Sequence, residues 1–195
     1  YYANVCTYGY SLAFVPRSYW QMHIDWMAMN GINMPLMFVG QEAIWVETFK
    51  QFNISLAEAS SFYSGPAFLP WFRMGNMKGF NGPLSTHWLE SRKALALQIL
   101  SRMRGLGMTP ALGAFAGHVP SIFAQKFPGA KLSRSPDWAN WDKNNPSTAA
   151  YSDVYLLEHT DPMYLTLGKA YIEAQTRILG TDHIYQCDNY NEMSP

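Results

Sequence analysis

The densest chemistry in the chain is a run of five polar residues, Asp188, Asn189, Tyr190, Asn191 and Glu192. They follow the run His183 to Cys187, read as the last strand, so they stand where a strand ends and a loop begins. Glycoside hydrolysis needs a protonated carboxylic acid to donate to the leaving oxygen, and a second carboxylate opposite it. Glu192 is the candidate acid, and Asp188 reads as a strand-end hydrogen bonder. Spacing alone leaves a second reading of Glu192 open, that of a solvated loop carboxylate. Glu42 is the only other carboxylate just past a strand. The two carboxyls of one retaining site stand about 5–5.5 Å apart, a distance no sequence supplies. Glu42 also suits a simpler part, a carboxylate in the first turn of a helix starting at Gln41, where it favours the dipole.

Other chemistries lack their signatures. His23, His87, His118, His159 and His183 include no pair at metal-ligand spacing, so no metal or other cofactor is expected. No serine sits in the strained G-x-S-x-G turn of hydrolase nucleophiles. Cys6 and Cys187 are too few for a disulfide framework, and we expect two buried thiols. Fourteen Lys plus Arg balance fourteen Asp plus Glu without a basic stripe, which disfavours a nucleic-acid partner. The longest apolar stretch, Ile32 to Val39, falls far short of the ~20 residues that span a bilayer. Asn53-Ile54-Ser55 is a glycosylation sequon, relevant only in a secreted chain. A first residue other than Met and a last residue just past the polar cluster read as cuts through a longer protein, so a targeting signal would lie outside the chain.

The elements that must position these groups alternate along the 195 residues, of which 48% are hydrophobic and only 14% charged. Val5 to Tyr8 reads as a first strand. Ser18 with Gln21 reads as a capping box opening a helix to about Asn30, with Trp20, Ile24 and Met27 on one face and Gly31 as its stop. The run Ile32 to Val39 is apolar on both parities, as in a strand covered on both faces. Pro35 removes a ladder donor there, and we expect a bulge. A second helix carries Trp88, Leu95, Ile99 and Met103 on one face, with Arg102 and Arg104 favourably near its negative end, before a strand over Met108 to Phe115. Asp161 and Pro162 open a third helix with Met163, Leu167, Ala170, Ala174 and Ile178 on one face, closed by Gly180 before the last strand.

Strand alternating with helix predicts right-handed crossovers and a parallel sheet. Four such units make about half of a (β/α)8 barrel, which typically needs ~250 residues. The strand-to-helix connections are long, from about Gly40 to Ser85 and from Ala116 to Thr160, and such loops build the working face of a barrel. The first holds two candidate short helices, one from Gln41 and one capped by Ser55 with Glu58, then the Gly/Pro-rich stretch Gly65 to Pro83 with Trp71, Phe72 and Met74. The second carries Trp138, Trp141 and Tyr151. Aromatics on loops suit either a platform for sugar rings or ordinary loop packing.

Six segments in order, YYANVCTYGYS from Tyr1, IDWMAMNGIN from Ile24, GQEAIW from Gly40, GPAFLPWFRMGN from Gly65, GMTPALGAFAGHVP from Gly107 and GTDHIYQCDNYNEM from Gly180, closely resemble the α-N-acetylglucosaminidases, glycoside hydrolase family 89. The resemblance spans nearly the whole chain. It implies a retaining exo-glycosidase on a (β/α)8 barrel, whose lysosomal member removes terminal α-linked N-acetylglucosamine from heparan sulfate. Glu192 in the Asn-Glu-Met motif matches the general acid/base and Asn191 a pocket residue. Asn4, Cys6, Trp71, Met74 and Trp138 match residues lining the sugar pocket. Indole and thioether surfaces pack on a sugar face and acetyl methyl, while short polar groups orient hydroxyls and the acetamide.

By the same resemblance, residues 1–195 are the N-terminal half of the catalytic barrel. A small N-terminal domain, the remaining strands and a helical C-terminal domain would lie outside the chain, and with them the nucleophilic glutamate. The isolated chain is therefore expected to lack activity and to expose an apolar sheet edge. The implied partner is a glycan ending in α-N-acetylglucosamine, and the implied home is lysosomal, vacuolar or secreted. A binding protein that kept the aromatic pocket but lost the chemistry is the alternative; a Glu at the end of a later strand separates the two.

Overall fold

The computed structural model describes residues 1–188 and 191–193. Its helices are α1 (Arg17–Met29), α2 (Gln41–Gln51), α3 (Leu69–Arg73), α4 (Thr86–Gly105), α5 (Ile122–Lys126) and α6 (Pro162–Leu179). The strands are β1 (Leu36–Met37), β2 (Ala111–Gly113), β3 (His118–Val119), β4 (Leu132–Arg134), β5 (Tyr155–Leu157) and β6 (Tyr185–Gln186). β1, β2 and β6 form a parallel sheet in that order, with Leu36 opposite Ala111 and Leu112 opposite Tyr185.

The first strand lies earlier than its predicted position. Val5–Tyr8 is a turn of 3-10 helix, because the Asn4 side chain accepts from the Cys6 N–H and Thr7 Oγ donates to the Asn4 carbonyl. Those local bonds draw the backbone out of the sheet. Parallel pairing falls instead on Tyr2, whose N–H donates to Met34 O at 3.1 Å and whose carbonyl accepts from Leu36 N at 2.8 Å. Pro35 pairs opposite Tyr2, and its carbonyl accepts from Ala111 N at 2.9 Å. All the parallel strands are shorter than the apolar runs that announced them.

α1 starts one residue before the predicted cap. Pro16 is its N-cap, and Ser18 sits inside the first turn without capping. The apolar face is as expected: Trp20, Ile24 and Met27 are buried against the core, each contributing roughly 1.5–3 kcal/mol. The N-cap of α6 is as read, Asp161 accepting from Met163 N, while α4 is capped by Ser85, which accepts from Trp88 N. Arg104 does more than face a dipole. Its guanidinium binds Asp182 and donates to Leu179 O at 2.9 Å, closing the end of α6 with a side chain from α4.

The first long connection opens with α2, which packs against α4 and α6 and is largely buried even at the polar positions Gln41, Glu42 and Thr48. Trp45 is fully buried in a ring cluster with Phe49, Phe62, Phe115 and Tyr171. A polar thread runs through this core: Gln41 donates to Tyr171 Oη and Gln175 to Gly113 O, both at 2.8 Å. A side chain at Gly113 would collide with Gln41, its Cβ only 2.3 Å from Nε2. Ser55 and Glu58 make the reciprocal capping bonds, but only turns follow them. The second long connection folds into a further sheet that the sequence reading did not contain, β3-β5-β4, antiparallel throughout. Among the described residues no helix is long and apolar enough to cross a membrane, and no group of three His, Cys, Asp or Glu could hold a metal ion.

Candidate active site

The site is assembled from four segments: the first 3-10 turn, the α3 region, the loop carrying Trp138 and Trp141, and the turn after β6. α3 is a single short helix carrying Trp71, with Met74 just past its end. Trp71, Met74 and Met77 are buried together in a small cluster apart from the main core, with Val5, Phe68, Phe80, Trp138 and Trp141 packed around it. Trp138 and Trp141 exchange backbone hydrogen bonds across a tight turn. Asp142 Oδ1 closes the next turn by accepting from Asn144 N and Asn145 N at 2.6 and 3.0 Å. The Trp138 ring lies nearly parallel to Trp71, centroids 6.4 Å apart and planes inclined by 26°.

Glu192 follows β6 in a turn and is exposed. Trp138 Nε1 donates to its Oε2 at 3.1 Å. The backbone on either side is pinned: buried Asn76 donates to Asn191 O at 2.7 Å, and Met193 is buried. Between these anchors Glu192 has φ 57°, a left-handed conformation that costs a side-chain-bearing residue roughly 1–2 kcal/mol. The polar groups that hold the turn therefore fix the direction in which its carboxylate leaves the backbone. Asn189 and Tyr190 of the same cluster lie outside the described residues.

Cys6 lies in the first 3-10 turn. Partial burial, then the charges of Glu192 and Asp188, push its thiol above the usual range. Asn4, beside it, spends its side-chain oxygen on Cys6 N. Neither cysteine is buried as expected; Cys6 and Cys187 are both exposed at the strand ends. Contacts link most of the expected residues: Asn4 bonds to Cys6, Glu192 accepts from Trp138, and Trp138 packs with Trp71 and Met74, while Asn191 beside Glu192 is held by Asn76.

Glu42 is not part of that chain. It is 1% exposed in the first turn of α2, and Arg73 of α3 grips it with two bonds, Nε to Oε1 at 2.7 Å and Nη2 to Oε2 at 3.1 Å. A carboxylate so held has no room for a sugar carbon. The sequence reading did not single out Arg73, Asn76 or the bracing part of Trp141. Arg73 did leave a signal. It is the one charge in the run Phe68 to Met77, and a charge in an apolar run needs a buried counter-charge. Asn76 had none, because an Asn after a Gly in a loop looks like any turn residue.

Parallel strands wrapped by helices, with an acid and tryptophans gathered at the strand ends, define an α/β domain of the TIM-barrel kind. The family model for the α-N-acetylglucosaminidase TIM-barrel domain matches residues 1–195, and the chain belongs to that family. Human α-N-acetylglucosaminidase is 40% identical over all 195 residues, and the chain spans 25% of that relative's length. Among solved structures, a family 89 glycoside hydrolase from Clostridium perfringens in complex with 2-acetamido-1,2-dideoxynojirimycin superposes with a TM-score of 0.83 at 31% identity, over 95% of this chain and 20% of that one. A doubly substituted variant of the Clostridium perfringens enzyme, in complex with its substrate GlcNAc-α-1,4-galactose, gives 0.81 at 31% identity over 93% of this chain and 20% of that one.

Proposed function

We propose that residues 1–195 form the first four strand-helix units of a (β/α)8 barrel, and that the full-length protein is a retaining exo-glycosidase removing terminal non-reducing α-linked N-acetylglucosamine. The hydrogen bond from Trp138 to Glu192 carries this reading, since it sets the exposed carboxylate against the tryptophan and methionine cluster. Glu192 is the general acid/base. Its carboxyl proton passes to the glycosidic oxygen as the bond from that oxygen to the anomeric carbon breaks. A glutamate from a later strand, outside these residues, attacks the anomeric carbon and forms the glycosyl ester. Glu192, now a carboxylate, takes a proton from water as the water oxygen attacks the same carbon and displaces the glutamate.

Asn4, Cys6, Trp71, Met74, Trp138 and Asn191 bind the sugar. Trp71 and Met74 offer the apolar surface for its face and acetyl methyl, and the backbone and side chains around Asn191 the polar contacts. Recognition then depends on the N-acetyl group, so the unacetylated α-glucoside is a much poorer substrate. Glycans of the heparan sulfate type, met in a lysosomal compartment, agree with the family. The small N-terminal domain, the remaining strands and the helical C-terminal domain belong to the rest of the polypeptide.

The experiment compares hydrolysis of an α-N-acetylglucosaminyl disaccharide by the full-length protein and by its Glu192→Gln variant, with folding of both followed by circular dichroism. Loss of activity with fold intact supports the acid/base role. An inactive parent would leave a binding protein, and an active variant would move the role to another carboxylate.

A further inference from the structure

The Glu42–Arg73 pair is the most deeply buried ion pair among the described residues, with side-chain exposures of 2% and 4%. Replacing such a pair by apolar side chains of similar volume is often neutral or stabilising, so stability alone does not account for it. Its location suggests another purpose. Glu42 is fixed to the parallel sheet: it follows Gly40, whose left-handed backbone (φ 78°) turns the chain from β1 into α2. Arg73 is the last residue of α3, with Trp71 two positions before it and Met74 immediately after. α3 has five residues and no side-chain cap, far too short to hold its own shape. Its other end rests on Gly9, where a Cβ would come within 2.8 Å of Pro70. The bidentate bond is therefore the polar clamp at the end of α3 that carries the pocket residues. A guanidinium held by two parallel bonds is fixed in orientation as well as position. Arg73 also borders, with Met74, Cys187 and Asp188, a small void of about 10 Å³ at the strand ends.

We infer that Glu42 and Arg73 are positioning residues that set Trp71 and Met74 at the distance and tilt needed to receive the sugar ring. The inference rests on the reading of the site given above. Neither residue touches the reacting atoms; both act through α3.

The test uses the full-length protein with the paired change Glu42→Met and Arg73→Met, which removes both charges and leaves no orphan, alongside Arg73→Lys, which keeps the charge but loses the fork. With melting temperature held within a few degrees, we expect kcat/KM on the α-N-acetylglucosaminide to fall roughly 10- to 100-fold, carried mainly by KM, in both variants. A merely structural pair would leave KM unmoved once stability is kept, and that result overturns the inference. A second readout is independent of turnover. With 5-fluorotryptophan incorporated and the Trp71 resonance assigned by Trp71→Phe, the paired variant should shift or broaden that resonance while those of Trp20 and Trp45 hold. An unmoved Trp71 signal overturns the inference whatever the kinetics. Were the parent inactive on the sugar, the functional reading would fail and this signal would still decide the positioning. A paired variant that unfolds would show the pair to be a fold determinant and would also overturn it.

Discussion

Two glutamates each follow a parallel strand, and their surroundings are opposite. Glu42, after β1, is buried and gripped by the Arg73 fork. Glu192, after β6, is exposed, carries one indole bond and sits on a left-handed backbone between two anchors. The contrast teaches that nearness to a strand's carboxyl end nominates a residue without assigning its work. A buried carboxylate with both oxygens bound to one guanidinium is held as an ion pair out of reach of a substrate, whereas an exposed one on a rigid turn keeps an oxygen available to exchange a proton.

The largest expected effect tests the exposed member. Glu192→Gln in the full-length protein should cost two to four powers of ten in kcat, roughly 3–5 kcal/mol of barrier, with an unchanged circular dichroism spectrum. Glu42→Leu should instead act on stability. It strands the Arg73 cation in the interior and should lower the unfolding free energy by about 3–5 kcal/mol in denaturant titration, where the paired Met change is nearly neutral. Equal stability losses in the single and paired variants would break the comparison, because the penalty would then not come from an orphaned charge.

A third prediction concerns pH. His118 is buried between the rings of Trp45, Phe62 and Phe72, with centroids 5.2, 5.6 and 5.7 Å away, and burial pushes its pKa down to about 4. As pH falls, the unfolded chain takes up this proton first, near the ordinary histidine value. The contribution is thus fully present above about pH 6.5 and is lost progressively down to about pH 4, by roughly 3 kcal/mol in all. His118→Leu should flatten that segment of the stability profile. Next in size, Trp138→Phe removes the indole donor to Glu192 while keeping an aromatic face, and kcat/KM should fall about tenfold. The smallest effect belongs to the exposed pair Lys169–Glu173 at 3.8 Å, where Lys169→Ala should change stability by less than about 0.5 kcal/mol.

Much of this architecture was legible in the chain itself, because its causes are local. Asp161 followed by Pro162 and the glycines at 31 and 180 mark helix ends through hydrogen bonds and backbone angles that span a few residues. The apolar faces of α1, α4 and α6 follow from the helical period. Apolar runs located the strands but overstated their length, since apolarity reports burial while strand ends depend on where a partner backbone stops. Local bonding could also mislead: Asn4 turned the expected first strand into a 3-10 turn, and the Ser55–Glu58 box formed with only turns behind it.

Tertiary structure alone decided the rest. The antiparallel sheet inside the second long connection depends on pairing His118 with Leu156 and Ser133 with Leu156, contacts between residues distant in sequence. The partner of Glu42 lies beyond α2, and the donor to Glu192 lies in a different loop altogether. Residue types and spacing nominated the groups that could do chemistry. Which of them stay accessible, and which become fasteners, was decided by packing, because burial and charge pairing are properties of neighbours the local sequence does not contain.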